Sequence, residues 1–148
     1  MANAPQQSAC PEEVLFVELA SATDLLSRAV ARLLKTNHLS STQYNVLRIL
    51  RGSPDGLICS EIGERMITRD PDITRLLERL EKRGLISRCR EQADRRMVMA
   101  RITPEGLDLL HRLDEPVRDL HRRQLGHLSA EERQQFADLL RAARSQVS

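Results

Sequence analysis

The chain has little aromatic material: no tryptophan, one tyrosine (Tyr44) and two phenylalanines (Phe16 and Phe136), together 2% of its 148 residues. Stacking platforms for unpaired bases are therefore scarce, which argues against a single-strand nucleic-acid binder. Cysteine is sparse as well. Cys10, Cys59 and Cys89 are odd in number and widely spaced, and without a CxxC pair a zinc ribbon is not expected. No apolar run approaches the ~18 residues that span a bilayer, and the first residues lack the apolar core of a secretory signal. No membrane association is expected, and a reducing cytoplasm is the expected compartment. The sequence contains no Gly-rich phosphate loop, no HExxH, no GxSxG and no evident nucleophile–base pair, so it predicts no enzyme, no cofactor and no metal site.

What is present is charge and leucine. Charged residues make up 30% of the chain, yet the net charge is only +2. The distribution says more than the total. Residues 65–101 hold eleven Lys and Arg against six Asp and Glu, whereas the remainder is acidic on balance. One quarter of the chain thus carries all the excess positive charge, as a polyanion-binding module would. A solvated helix face has the same appearance, so charge alone does not separate the two.

Residues 1–11 are small, polar and Pro-containing and read as a flexible arm. A helix is predicted over 12–36, where Val14, Leu15, Leu19, Leu25, Leu26, Val30, Leu33 and Leu34 recur mostly at spacings of three or four. That stripe is long for a small monomer to cover. Ser40-Ser41-Thr42-Gln43 forms a capping box ahead of a second helix, which Gly52, Pro54 and Gly56 stop. A short helix follows from about Cys59 to Met66. Asp70 before Pro71 predicts an N-cap and first turn for a helix to Arg83, in which Ile73, Leu76, Leu77 and Leu80 form an apolar stripe. Gly84 supplies its stop. Leu85–Arg90 and Met97–Ile102 suit strands, joined through the charged tip 91–96 as a β-hairpin. Thr103-Pro104 opens a long helix expected to kink at Pro116 rather than end there. Ser129-Ala130-Glu131-Glu132 is a second capping box, opening a last helix that ends near Arg144.

The fold class is therefore mainly α with a small β-hairpin wing: a winged helix-turn-helix flanked by N- and C-terminal helices. A recognition helix must bury one face and offer the other to the major groove. The 71–83 helix carries Asp72, Thr74, Arg75 and Arg79 away from its apolar stripe. Arginine is suited to bidentate contact with guanine edges and threonine to thymine methyls. Arg95 and Arg96 at the hairpin tip suit a narrow minor groove. Each feature alone also fits ordinary surface. Their order along the chain points to duplex DNA.

Four segments in that order resemble the MarR-type regulators of multiple antibiotic resistance. They are Leu39–Leu47, Pro71–Ile86, Asp94-Arg95-Arg96, and Ile102-Thr103-Pro104-Glu105-Gly106. The resemblance covers about residues 12–146. It implies a cytoplasmic homodimer in which helices 12–36 and 104–146 interlock, leaving 40–103 as the DNA-binding lobe, with two lobes on a pseudopalindromic operator. It further implies that Thr74, Arg75 and Arg79 face the major groove and that Arg69 and Asp72 lie near the helix start. Asp94 would brace the wing, and Arg96 would reach the minor groove. One position departs from the pattern. Gly63 stands where the family commonly has alanine, which puts the firmness of that short helix in doubt.

Many such regulators repress until an effector alters the spacing of the two lobes. The family likeness implies a small aromatic or anionic effector near His38, Tyr44 and Arg48. A thiol-based oxidant sensor is the alternative within the family. It fits less well, because Cys10 precedes the first helix and no tyrosine but Tyr44 is present; Cys59 and Cys89 read as packing residues. His111 and His121, ten residues apart, do not share a helical turn as metal ligands would. Outside regulation, the rival class is a helical protein–protein adaptor or anti-repressor on the same scaffold, which would not need Arg75, Arg79 and Arg96.

Overall fold

The computed structural model describes residues 10–147. Most of the predicted arm lies outside the described residues, but its last residue, Pro11, already begins a helix. In chain order the elements are α1 (Pro11–Lys35), α2 (Ser41–Arg51), β1 (Leu57–Ile58), α3 (Cys59–Arg65), α4 (Ile73–Lys82), β2 (Ile86–Arg90), β3 (Val98–Ile102), α5 (Pro104–Leu125) and α6 (Ala130–Ser145).

Local chemistry sets most of these boundaries. Ser40 Oγ accepts from Gln43 N at 3.1 Å while Ser40 N donates to Gln43 Oε1 at 3.0 Å, the reciprocal box read from the sequence. Ser129 and Glu132 repeat it at α6, at 3.1 and 2.7 Å. Helix α5 continues through Pro116. Helix α4 begins later than expected. Asp70 Oδ1 accepts from Asp72 N at 2.8 Å and so turns the chain through Pro71, and Asp72 Oδ1 then caps Arg75 N at 3.1 Å. Two carboxylates compete for the cap, and the one nearer the leucine stripe takes it.

The end of α4 is a Schellman motif. Gly84 N donates to Glu81 O at 2.9 Å and Leu85 N to Leu80 O at 3.1 Å. The motif needs a left-handed residue, which Gly84 provides at φ +71°. Gly63 has a different reason. A Cβ there would lie 2.7 Å from Ile73 Cδ1, so its absence lets α4 seat its first apolar residue against α3.

The sheet is antiparallel in the order β1-β3-β2, with Leu57 opposite Ala100 and Arg88 opposite Ala100 on the other side. The hairpin was expected; β1 was not. Two residues are too short for any periodicity to register. The strand matters nonetheless, because it ties the start of α3 to the wing.

One core joins the pieces. Val46, Leu47 and Leu50 of α2, Ile62 of α3, Leu76, Leu77 and Leu80 of α4, and Ile86 and Ala100 of the sheet are buried together. Each of the larger side chains contributes about 1.5–3 kcal/mol. Leu34 of α1 and Leu109, Leu110, Leu113 and Val117 of α5 extend this core into the long helices. Arg51 of α2 and Asp114 of α5 reinforce the join with an ion pair at 2.9 Å.

The rest of the helical frame is uncovered. Leu34 is the only buried residue of α1, and α6 has none. Leu15 and Phe16 are 69% and 71% exposed, and Leu139 is 69% exposed.

Candidate nucleic-acid interface

Helix α4 has two opposed faces. Its leucines face the core, while Thr74, Arg75, Glu78 and Arg79 are exposed. Arg75 and Arg79 lie four residues apart and so project from neighbouring turns of one face. Among the described residues, Arg69, Arg75, Arg79, Arg95 and Arg96 take part in no ion pair, whereas Arg28, Arg51, Arg88, Arg118, Arg122 and Arg141 each hold a carboxylate. Pairing alone does not mark this surface, because Arg32, Arg90, Arg112 and Arg123 likewise take part in no ion pair among the described residues. What marks it is position: Arg75 and Arg79 share one exposed face of α4, with Arg95 and Arg96 exposed on the wing of the same lobe.

The wing is shaped by Asp94. Its Oδ1 accepts from Arg96 N at 3.0 Å, its carbonyl accepts from Met97 N at 3.0 Å, and Glu91 N donates to Met97 O at 2.9 Å. These bonds close the tip and leave Arg95 and Arg96 exposed. Thr74 of α4 and Arg96 of the wing line a single hollow of about 410 Å³, with Cys59, Arg88 and Met97. Arg69 lines an adjoining hollow with Ser60, Asp70 and Ile73. Asp72 caps α4 from within this region. The predicted DNA-facing residues therefore gather around α4 and the wing.

Arg88 had not been singled out. It donates through Nε to Glu81 Oε2 at 2.6 Å and so holds β2 to the last turn of α4. The seven-residue separation of the two crosses a turn, and a helix-period search does not connect them. Arg83 plays a similar part at the other side, with its guanidinium on the carbonyls of His38 and, at 3.3 Å, Asn37.

The residues expected around an effector do not share one cavity. Tyr44 is buried, with the Arg48 guanidinium 5.8 Å from its ring centroid, and burial pushes its phenol pKa up. His38 has φ +56° and lines a separate groove with Arg83 and Glu105. The cleft between the helical frame and the DNA-reading lobe instead uses Leu26 and Val30 of α1, Thr42 and Asn45 of α2, and His121 and Gln124 of α5, around a space of about 400 Å³. Of these polar residues, sequence reasoning had weighed only His121 as a site residue, and as a metal ligand; the i, i+3 spacing of His121 and Gln124 was the available signal. Cys10 and Cys89 are exposed and Cys59 is half-buried, so the packing role expected of Cys89 does not hold. No helix among the described residues is long and apolar enough to cross a membrane.

A helix-turn-helix with a three-stranded wing and an outward face of unpaired arginines defines a winged-helix DNA-binding protein. The family model described as MarR family matches residues 39–98. The chain is 30% identical over 118 residues to the HTH-type transcriptional regulator PecS of Dickeya dadantii (strain 3937), spanning 78% of this chain and 71% of that one. It is 27% identical over 126 residues to the homoprotocatechuate degradative operon repressor of Escherichia coli, spanning 85% and 84%. Among solved structures it matches the PcaV transcriptional regulator of Streptomyces coelicolor in complex with its natural ligand, with a TM-score of 0.75, 30% identity and all of both chains covered. The chain belongs to the MarR family of transcriptional regulators, and it is not an enzyme.

Proposed function

We propose that this regulator is a cytoplasmic homodimeric repressor that grips a pseudopalindromic operator and is released by a small aromatic or anionic effector. The observation that carries the DNA-reading part is the exposed face of α4, where Thr74, Arg75 and Arg79 stand opposite the buried leucines. Arg75 and Arg79 read the major groove with Thr74, and Arg95 and Arg96 enter the flanking minor groove. Asp94 fixes the wing tip, and Arg69 and Asp72 set the approach to the helix.

The uncovered apolar residues of α1 and α6 support the dimer. Phe16, Leu15 and Leu139 gain a cover only when helices 12–36 and 104–146 of two chains interlock, leaving 40–103 as each lobe. Repression follows most simply, since a dimer lying across a promoter excludes polymerase without further contacts. The name of the homoprotocatechuate relative supports that sign. The ligand complex of the PcaV relative supports an effector. We place the effector in the cleft between frame and lobe, where occupancy changes the angle of the lobe.

Fluorescence anisotropy on the duplex upstream of the protein's own gene tests this reading. Salt-dependent binding that is lost on scrambled duplex is the expected result. Binding indifferent to sequence would remove the operator reading and return weight to an adaptor.

A further inference from the structure

The two helices of the helix-turn-helix are joined by a long connection. Helix α3 ends at Arg65 and α4 begins at Ile73, whereas such helices are commonly joined by a turn of about three or four residues. Met66 is buried at one end, and Ile73 packs over Gly63 at the other. No residue of 67–72 is buried, and Ile67 is 86% exposed. Packing therefore does not set the path of the segment that leads into the recognition helix.

Hydrogen bonds must set it instead, and few are made. The bond from Asp72 N to Asp70 Oδ1 lies within the segment, and those that Asp72 accepts from Arg75 N and Leu76 N lead forward into α4. Among the described residues, one bond ties 67–72 to any element other than α4. Ile67 N donates to Asn45 Oδ1 of α2 at 2.8 Å. A backbone N–H only donates, so the amide is fixed with its oxygen toward Ile67. Both residues belong to the lobe 40–103, outside the helices that the proposed dimer interlocks, and the bond lies within one protomer. Arg69 and the capping Asp72 follow along the same tethered stretch. Donors held in place before contact lose less freedom on binding and tell bases apart more sharply.

We propose that Asn45, which lines the cleft toward the frame rather than the α4 surface, is a positioning residue for recognition: its amide oxygen holds the approach to α4 and sharpens base discrimination at the first turn of that helix. The inference rests on the DNA-reading proposal above and adds to it a residue that touches no base.

Sites selected from random duplexes by the full-length chain, then measured by anisotropy with each base pair replaced in turn, test it. Arg75→Ala and Arg79→Ala mark the base pairs read from successive turns of α4. Asn45→Ala should lower the penalty for a wrong base at the Arg75 positions by about fivefold or more, and leave that at the Arg79 positions within about twofold. Amide exchange at Ile67 should be about tenfold faster in this variant. Asn45→Asp, which keeps an acceptor for Ile67 N, should restore the parent's discrimination and protection. Thermal unfolding checks each fold, and Asn45→Ser, too short to reach Ile67, replaces the alanine variant if that one fails. A parent-like profile in Asn45→Ala overturns the inference. So does an equal loss at the Arg75 and Arg79 positions, which would mark general loosening of the lobe, or an aspartate variant that behaves as alanine does. A parent chain that selects no site overturns the DNA-reading proposal itself, and this inference with it.

Discussion

Thr103 Oγ1 donates to the Gly84 carbonyl at 2.6 Å and accepts from Gly106 N at 3.1 Å. A single hydroxyl therefore joins the exit of α4 to the start of α5, across nineteen residues that include the whole wing. A second bond, Thr103 N to Leu85 O at 3.1 Å, lies beside it. The recognition helix, the wing and the long frame helix meet at this one point.

Replacing Thr103 with valine keeps the shape and removes both hydroxyl bonds. Loss of a helix cap alone costs about 0.5–2 kcal/mol. Urea unfolding of Thr103→Val should show a loss in the upper half of that range, because the Gly84 carbonyl also loses its partner. Thr103→Ser should recover most of it. If valine and serine behave alike, the hydroxyl is not the joint.

Gly106 is the steric counterpart of that joint. A Cβ at this position would fall 2.3 Å from Leu85 O and 2.8 Å from Ile102 Cγ1. Alanine gains roughly 1 kcal/mol of helix propensity over glycine, yet Gly106→Ala should destabilise by about 2 kcal/mol or more, since backbone must move. Gly84→Ala meets no atom within 4 Å and suffers only from φ +71°, a cost of about 1–2 kcal/mol. Equal Tm values for Gly106→Ala and the parent would remove the close-approach argument.

Sequence reasoning found the elements that announce themselves chemically. Ser40 and Gln43, Ser129 and Glu132, Thr103 before Pro104, and Gly84 are short-range signals that act within one turn of chain. It misplaced the start of α4 because Asp70 and Asp72 are equally good cap residues, and only packing of Ile73 against Gly63 decides between them. It missed β1 because Leu57 and Ile58 become a strand only by pairing with Ala100 and Met99. The cleft around His121 and Gln124 was only partly legible: their i, i+3 spacing pairs the two side chains, but not the other walls. Its walls come from residues 26–125, and no local pattern assembles them.

Arg51 and Asp114 give the fold a defined acid sensitivity. The Arg51 hydrogen bond, ahead of Coulombic attraction, holds the Asp114 carboxyl below its ordinary value of 3.8. A carboxylate depressed in the folded state adds stability that is complete above the unfolded pKa and is lost as pH falls through the folded one. Asp114→Asn should therefore cost about 1 kcal/mol at pH 7, allowing for the pair's partial exposure. The gap to the parent should narrow only below about pH 4. A gap that persists unchanged at pH 2.5 would show that shape, not charge, is at work.

Arg83 should govern operator geometry rather than raw affinity. Its guanidinium bonds the Asn37 and His38 carbonyls, where the chain leaves α1, and so fixes the recognition helix relative to the frame. In Arg83→Met the lobe loses that anchor but keeps its whole DNA face. Binding to operators whose half-site spacing is altered by one base pair should then be penalised less than in the parent. A spacing profile identical to the parent's would leave Arg83 as a local stabiliser only.

The arginines of α4 and α5 provide the sharpest paired comparison. Arg122 is exposed and forms ion pairs with Glu115 and Asp119, both at 2.7 Å. Arg75 is exposed and forms none. Deleting Arg122 removes a charge already balanced within the chain, so operator affinity should change by less than about threefold, within the small effects typical of surface pairs. Deleting Arg75 removes a free bidentate donor and should cost about 1–3 kcal/mol at each half-site, with discrimination lost at the base it reads. Arg96→Ala should weaken binding most on operators with A·T-rich flanks, where the minor groove is narrow. Anisotropy titrations of all three variants on one operator, and on the same operator with G·C flanks, separate these effects. An Arg122→Ala defect as large as that of Arg75→Ala would mean that bulk charge, rather than the unpaired face of α4, determines binding.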